Sequence, residues 1–402
     1  MDHHPGPEHK TPSIPSQKSV FWDPNLQIIF AVTLSAVMGV SSITPAFPKI
    51  SKALMIDSHQ IGWLITIFTI PGILLTPILG MVADRLGRKK ILAPSLFIYS
   101  IFGTLCAFTH DFEVLLLLRF LQGIGGASLG ALNVTLIGDL YEGQRRTEAM
   151  GYNASILSVG TAIYPAIGGS LAIIGWNFPF LLSALVFPIG FLVIFKLKNP
   201  RLEKKQRLFD YLKSIGQYVK SWHVWGLFGA NFLTFIMLYG GVLTFLPVLL
   251  DERFAVTSLV IGLILSASSI VTGITSSQLG KISKVFHEAT LVKIAAACYA
   301  AVFLSIPFIT NIWQFFIPIT LFGFAQGVNI PSTLTLLTRS APMEYRAAFM
   351  SLNWMVLRCG QAAGPIVLGI IFKFYGMDAP FFASLGVAAV MLGLVSFSVV
   401  RK

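Results

Sequence analysis

An all-α integral membrane protein of twelve transmembrane helices, arranged as two pseudo-symmetric six-helix bundles, is the fold this sequence predicts. Three observations carry the prediction. The 402 residues are 55% hydrophobic and only 11% charged, against about a quarter charged in soluble domains. Apolar stretches long enough to cross a ~30 Å hydrocarbon layer as helices recur along the chain, separated by short polar gaps. The second half repeats the first at a nearly constant offset.

Taken in order, residues 1–25 contain Pro5, Pro7, Pro12 and Pro15 in a polar context with no apolar core. They read as a disordered cytoplasmic tail rather than a signal peptide. Six spans follow near 26–48, 61–81, 91–109, 113–138, 150–174 and 178–195, giving an N-terminal bundle over 26–195. A basic linker over 196–221 divides the chain. Within it Leu208, Leu212, Ile215 and Val219 recur at helical spacing opposite Lys204, Lys205 and Lys213, as in an amphipathic helix lying on the inner membrane face; a solvated linker is the other reading. Six more spans, near 224–250, 259–279, 291–310, 314–338, 347–372 and 379–400, form a C-terminal bundle over 222–402.

A net charge of +12 raises the question of nucleic acid, but the positions of the charges answer it. With the N-terminus inside, four of the 29 Lys and Arg fall outside (Lys49, Lys52, Arg253 and Lys373), two fall within helices (Arg119 and Arg358), and the rest are cytoplasmic. That bias sets topology. Both termini are expected in the cytoplasm, with no nucleic-acid partner. Cys106, Cys298 and Cys359 lie in apolar segments without metal-site or disulfide spacing and read as packing residues.

The repeat has an offset of 200 residues. Ile61-Gly62 pairs with Ile261-Gly262, and Leu79-Gly80 with Leu279-Gly280. Arg146, Met150, Asn153, Gly160, Ala162, Pro165 and Gly169 are matched by Arg346, Met350, Asn353, Gly360, Ala362, Pro365 and Gly369. Gln122-Gly123 pairs with Gln326-Gly327 after a four-residue slip. Two similar bundles about a central site suit alternating access.

Between the second and third spans runs Gly80-Met-Val-Ala-Asp84-Arg85-Leu-Gly87-Arg88-Lys89-Lys90. This stretch resembles the cytoplasmic signature of major facilitator superfamily transporters at every defining position. Leu115-x-x-x-Arg119-x-x-Gln122-Gly123-x-Gly125-Gly126-Ala127 is similar to the fourth-helix signature of that family. Gly151-x8-Gly160-x3-Tyr164-Pro165-x2-Gly168-Gly169 resembles the fifth-helix signature of its twelve-helix drug:proton antiporter branch, with Tyr164 where Gly is usual. The resemblance covers the whole chain and implies the major facilitator fold. It also implies that Asp139, closing the fourth helix, interacts with Arg88 to latch the cytoplasmic ends of the bundles in the outward-facing state, with Asp84 acting beside a helix N-terminus.

None of the 17 acids falls near the middle of a span, where a proton-driven transporter usually titrates a carboxylate. Asp57, Asp111, Glu113, Asp251, Glu252 and Asp378 lie outside, the others inside. The midplane instead receives Arg358, ~16 Å into the eleventh helix, with Trp354 and Gln361 on its face. Together with Arg119 it predicts an electropositive pathway. Further cavity candidates are Asn231, Phe235 and Tyr239 on the seventh helix, Gln326 and Asn329 on the tenth, and Asn353 on the eleventh.

The first functional reading is proton-coupled efflux of small amphiphilic, drug-like compounds by alternating access. A second is an organic-anion or metabolite transporter organised around Arg119 and Arg358. A third is a transporter-like sensor or lipid-handling protein that does not cycle. No nucleotide-binding loop, zinc-protease motif or large soluble domain is present in the sequence, so neither an enzyme nor a cofactor is expected. The expected partners are a small-molecule substrate, protons as coupling ion and the lipid bilayer. The chain is expected to act as a monomer in the inner membrane of a bacterium.

Overall fold

In a hydrocarbon layer no water competes for backbone N–H and C=O groups, so a spanning chain satisfies them within helices or a closed barrel. The computed structural model describes residues 19–198, 221–340 and 346–398, and helices take up nearly all of them. The proposed linker helix between 204 and 219 lies outside the described residues, as do residues 1–18.

Helix α1 (Pro24–Ser41) starts at Asp23, whose carboxylate accepts the Asn25 N–H at 2.9 Å; Pro24 follows where its missing donor costs nothing. Then come α2 (Trp63–Leu86), α3 (Arg88–Leu105), α4 (Phe112–Leu140), α5 (Gly143–Ile174) and a broken segment α6 (Phe178–Lys196). The second set is α7 (Trp222–Phe254), α8 (Ser258–Ile282), α9 (Glu288–Ser305), α10 (Phe316–Ser340), α11 (Arg346–Tyr375) and α12 (Ala379–Ser398). Among the described residues, eleven helical segments are long and apolar enough to cross a membrane. The remaining one is α3, whose first turn is Arg88, Lys89 and Lys90.

Buried apolar side chains form two cores. One runs from Val20 to Leu197, joined by Val248 of α7, and the other from Val224 to Val395. The bundles meet along two crossings, α5 on α8 and α2 on α11. Both are built on glycines that admit a neighbouring backbone. A Cβ at Gly62 would lie 2.7 Å from Pro365 Cβ, and one at Gly262 would overlap the Pro165 carbonyl oxygen. A Cβ at Gly369 would sit 2.9 Å from the His59 carbonyl oxygen, and one at Gly169 would meet Ser258 and, at 3.0 Å, Leu259 Cα. Each seam is the other shifted by 200 residues.

The seams do not run the length of the molecule. Along α2, Gly62 is closed against Pro365, Gly72 is filled by Arg358, and a Cβ at Gly80 would meet nothing within 4 Å. Along α8, Gly262 is closed, Gly273 has Ser158 Cβ at 3.7 Å, and Gly280 is open. The bundles therefore touch at one end and part toward the other. At the closed end Lys52 Nζ pairs with Asp251 at 2.6 Å and Ser58 Oγ donates to Glu252 at 3.1 Å, both across the bundles.

Candidate functional site

The loop signature sits at the open end. Gly87 joins α2 to α3 at φ 104°, a conformation that disfavours a side chain, so this corner needs glycine. The tight corner brings Arg88 back over α2. There it pairs with Asp84 one turn earlier, and its Nε donates to Asp139 at 3.0 Å. Arg88 is 3% exposed, so its charge is desolvated and both carboxylates compensate it. All three residues belong to the N-terminal bundle. The contacts staple α2, α3 and α4 together while the bundles are apart at this end, so in this conformation they bridge no gap between the bundles. Asp84 lies in the last turn of α2, where the helix dipole opposes an acid, and Arg88 is what offsets it.

Arg119 is 0% exposed, inside the N-terminal bundle. Its Nε donates to the Leu64 carbonyl at 3.2 Å, one terminal nitrogen donates to Gln122 Oε1 at 2.7 Å, and its guanidinium carbon stands 4.3 Å from the Phe68 ring centroid. Gln122 continues the chain to Ser183 Oγ at 3.1 Å. The closely packed glycines of the same signature serve α2 and α3: a Cβ at Gly123 would overlap the Phe68 carbonyl, and one at Gly125 would lie 2.5 Å from the Tyr99 nitrogen. In the fifth-helix signature, Gly168 packs on Ser42 of the N-terminal bundle, Gly160 faces Leu34, and Pro165 and Gly169 face α8 across the seam.

Three of the amides proposed as cavity residues pair inside the C-terminal bundle. Asn231 donates to Asn353 at 2.6 Å, and Asn329 donates to Thr234 Oγ1 at 2.9 Å. In the first bundle Asn133 donates to Thr33 Oγ1, which donates to Asn153 Oδ1 at 2.5 Å. Asn153 and Asn353, 200 residues apart, each close a buried polar pair within their own half, with Thr33 in one and with Asn231 in the other. Gln326 is also buried, and among the described residues neither of its amide atoms has a partner.

Phe235, Tyr239, Gln361 and Arg358 remain at the point where the bundles part. Part of α7, Met237–Phe245, is wound as a π-helix, and Gly240 in it faces the Gly364 carbonyl of α11. Tyr239 stacks on Phe235 with centroids 5.7 Å apart and planes at 16°, and its hydroxyl accepts from Gln361 Nε2 at 3.2 Å. Arg358, half-buried, lays its guanidinium over Gly72 of the other bundle. Among the described residues no group accepts a hydrogen bond from it. Neither do the described residues gather three His, Cys, Asp or Glu in a metal-binding group.

A family model described as Major Facilitator Superfamily matches residues 29–310 and 249–402. The Bacillibactin exporter of Bacillus subtilis (strain 168) is 27% identical over 365 residues, covering 87% of this chain and 90% of that one. Multidrug resistance protein 2 of the same organism is 25% identical over 393 residues, covering 95% and 96%. Among solved structures, a bacterial homologue of the human lysosomal transporter Spinster, inward-facing and occupied, superposes with a TM-score of 0.78 at 17% identity, covering 94% of this chain and 97% of that one.

Proposed function

This chain belongs to the Major Facilitator Superfamily and is a membrane transporter, and from that premise we propose that it exports small amphiphilic compounds by alternating access, with protons as the coupling ion. The observation that carries the mechanism is the graded seam: closed at Gly62 and Gly262, occupied at Gly72 and Gly273, open at Gly80 and Gly280. Two rigid bundles with cores of their own, touching through small residues at one end, can rock about the midpoint without disturbing either core. If the loop signature is cytoplasmic, as the Lys and Arg distribution predicts, this conformation is open inward, ready to load from the cytoplasm. Export is supported by relatives whose names describe an exporter and a multidrug resistance protein.

Proton coupling fits the acids available. Asp84 and Asp139 both face Arg88, and protonating either removes one of the two charges that compensate a buried guanidinium. Coupling would then pass through the N-terminal staple rather than a midplane carboxylate. The test is flux of an amphiphilic dye in proteoliposomes under an imposed pH gradient. Wild-type protein should accumulate dye only with the gradient and exchange it at equal pH. Asp139→Asn should lower gradient-driven flux at least about tenfold, the loss of one charge-assisted hydrogen bond of ~1.5–3 kcal/mol, while leaving exchange at equal pH largely intact. Undiminished gradient-driven flux in both Asp84→Asn and Asp139→Asn would remove the staple from the coupling mechanism.

A further inference from the structure

We propose that Arg358 is the anion-accepting group of a substrate site at the point where the bundles part, and that the ligand it takes is a small aromatic acid. The proposal deepens the transport reading and rests on it. Position comes first. Gly72 is the midpoint of the α2 ruler, between a closed glycine and an open one. A Cβ there would lie 2.8 Å from the Arg358 guanidinium carbon and 3.2 Å from its Cδ. Arg358 therefore stands where a vestibule between the bundles ends, anchored on one bundle and lying against the other.

Symmetry shows that packing alone does not require it. The residue 200 positions earlier is Ser158, whose Cβ stands 3.7 Å from the place of a Cβ at Gly273, one residue beyond Thr272, the counterpart of Gly72. One seam is spaced by a serine and the other by a guanidinium. A charged group at bilayer depth carries a large desolvation cost, so it needs an anion, carbonyls or water. The other intramembrane arginine, Arg119, is held by Leu64, Gln122 and Phe68. Arg253 and Arg339, near the helix ends, pair with Asp378 and Glu288. Arg358 has no such acceptor among the described residues, and the sequence supplies no acid to any span centre. Its planar fork of donors matches a carboxylate in two-point contact.

The surroundings define the rest of the ligand. Gln361, three residues on and on the same helix face, reaches the Tyr239 hydroxyl, and Tyr239 lies parallel to Phe235. Tyr239 thereby stands against the turn of α11 that carries Arg358. A cation beside a phenol and a stacked aromatic pair is suited to a flat apolar ring carrying one negative group. A cationic amphiphile would meet the guanidinium as a like charge.

The test compares three probes of one shape, 1-naphthoate, 1-naphthamide and 1-naphthylmethylammonium, by equilibrium binding to the purified full-length protein. The expected result is that 1-naphthoate binds at least about tenfold more tightly than the other two. Arg358→Gln should abolish that preference by weakening 1-naphthoate to the level of the amide, and Arg358→Lys should keep part of it. Gly72→Ala, which retains the charge but displaces it, should weaken 1-naphthoate selectively. Equal binding of acid and amide by the wild type, or an undiminished acid preference in Arg358→Gln, overturns the proposal. Should Arg358→Gln lose its cooperative unfolding transition, Gly72→Ala decides: an unchanged affinity for 1-naphthoate counts against the site. A wild type that prefers no acid yet pumps other amphiphiles on a pH gradient overturns this site alone; absence of gradient-driven flux of any compound falls on the transport reading.

Discussion

Gly262→Val should force the closed end of the molecule apart without unfolding it. The new side chain would enter the Pro165 carbonyl across the seam, where backbone rather than a movable side chain resists it. Overpacking of this kind costs about 1–3 kcal/mol in a core. Here the strain lies between bundles, so separation at that end relieves it. Spin labels placed at positions 52 and 251 should show a longer mean distance than in the parent, and gradient-driven flux should fall about tenfold or more. Gly62→Val should do the same on the other seam, against Pro365. Gly123→Val provides the contrast. Its obstacle is the Phe68 carbonyl within one bundle, so no rocking motion relieves it, and loss of folded protein is the expected result. If Gly262→Val leaves the label distance and flux unchanged, the seam is not a moving interface.

Arg119→Ala has the second large effect, and it is one of stability. The guanidinium links α2 through Leu64 to α4, and through Gln122 to Ser183 of α6, whose carbonyl in turn accepts from Ser100 of α3 at 2.7 Å. Four helices share the network, and it lies out of water. Truncation leaves Gln122 Oε1 without its donor and opens a void beside Phe68. The expected cost is ~3 kcal/mol, the lower end for breaking a buried charged contact. That corresponds to a fall of ~6–12 °C in the unfolding midpoint for a bundle of this size. Arg119→Lys should recover only part of it, because an ammonium cannot make the forked contact to Leu64 and Gln122 at once. Thermal unfolding of the purified protein checks both; a shift under ~2 °C for Arg119→Ala would mean the network is not structural.

The repeat was legible because the pairs that revealed it are the ones with no freedom. Gly62 and Gly262, Pro165 and Pro365, and Gly169 and Gly369 are the seam residues. Close backbone approach restricts residue type far more than lipid contact does. The lipid-facing positions between them tolerate any apolar residue and carry little of the offset. The span of α3 was legible from context even though three cations in its first turn reduce its apolar length.

The facing of polar side chains was not legible. Asn231, Asn329 and Asn353 on spanning helices look alike whether they line a cavity or clasp a neighbour, and the structure pairs them inside the C-terminal bundle. Arg119 gave its depth but not its direction. The partners in these pairs lie 95 to 122 residues apart in sequence, beyond any local pattern. The one available signal was Asn153 and Asn353, matched at the 200-residue offset and each paired inside its own bundle. The π-wound stretch of α7 changes the hydrogen-bond step from four to five, too little to alter an apolar run; Gly240-Gly241 was its only local mark.

Alternating access requires the closed end to open once per transport cycle, and cross-linking that end is the most direct measurement. In a background with Cys106, Cys298 and Cys359 replaced by Ser, Lys52→Cys and Asp251→Cys face each other where the native pair stands 2.6 Å apart. A short bis-methanethiosulfonate, which forms mixed disulfides with both thiols, should join them and reduce gradient-driven flux in proteoliposomes at least about tenfold, and dithiothreitol, by reducing those disulfides, should restore it. Cross-linked protein that transports at the uncross-linked rate would contradict alternating access through this end.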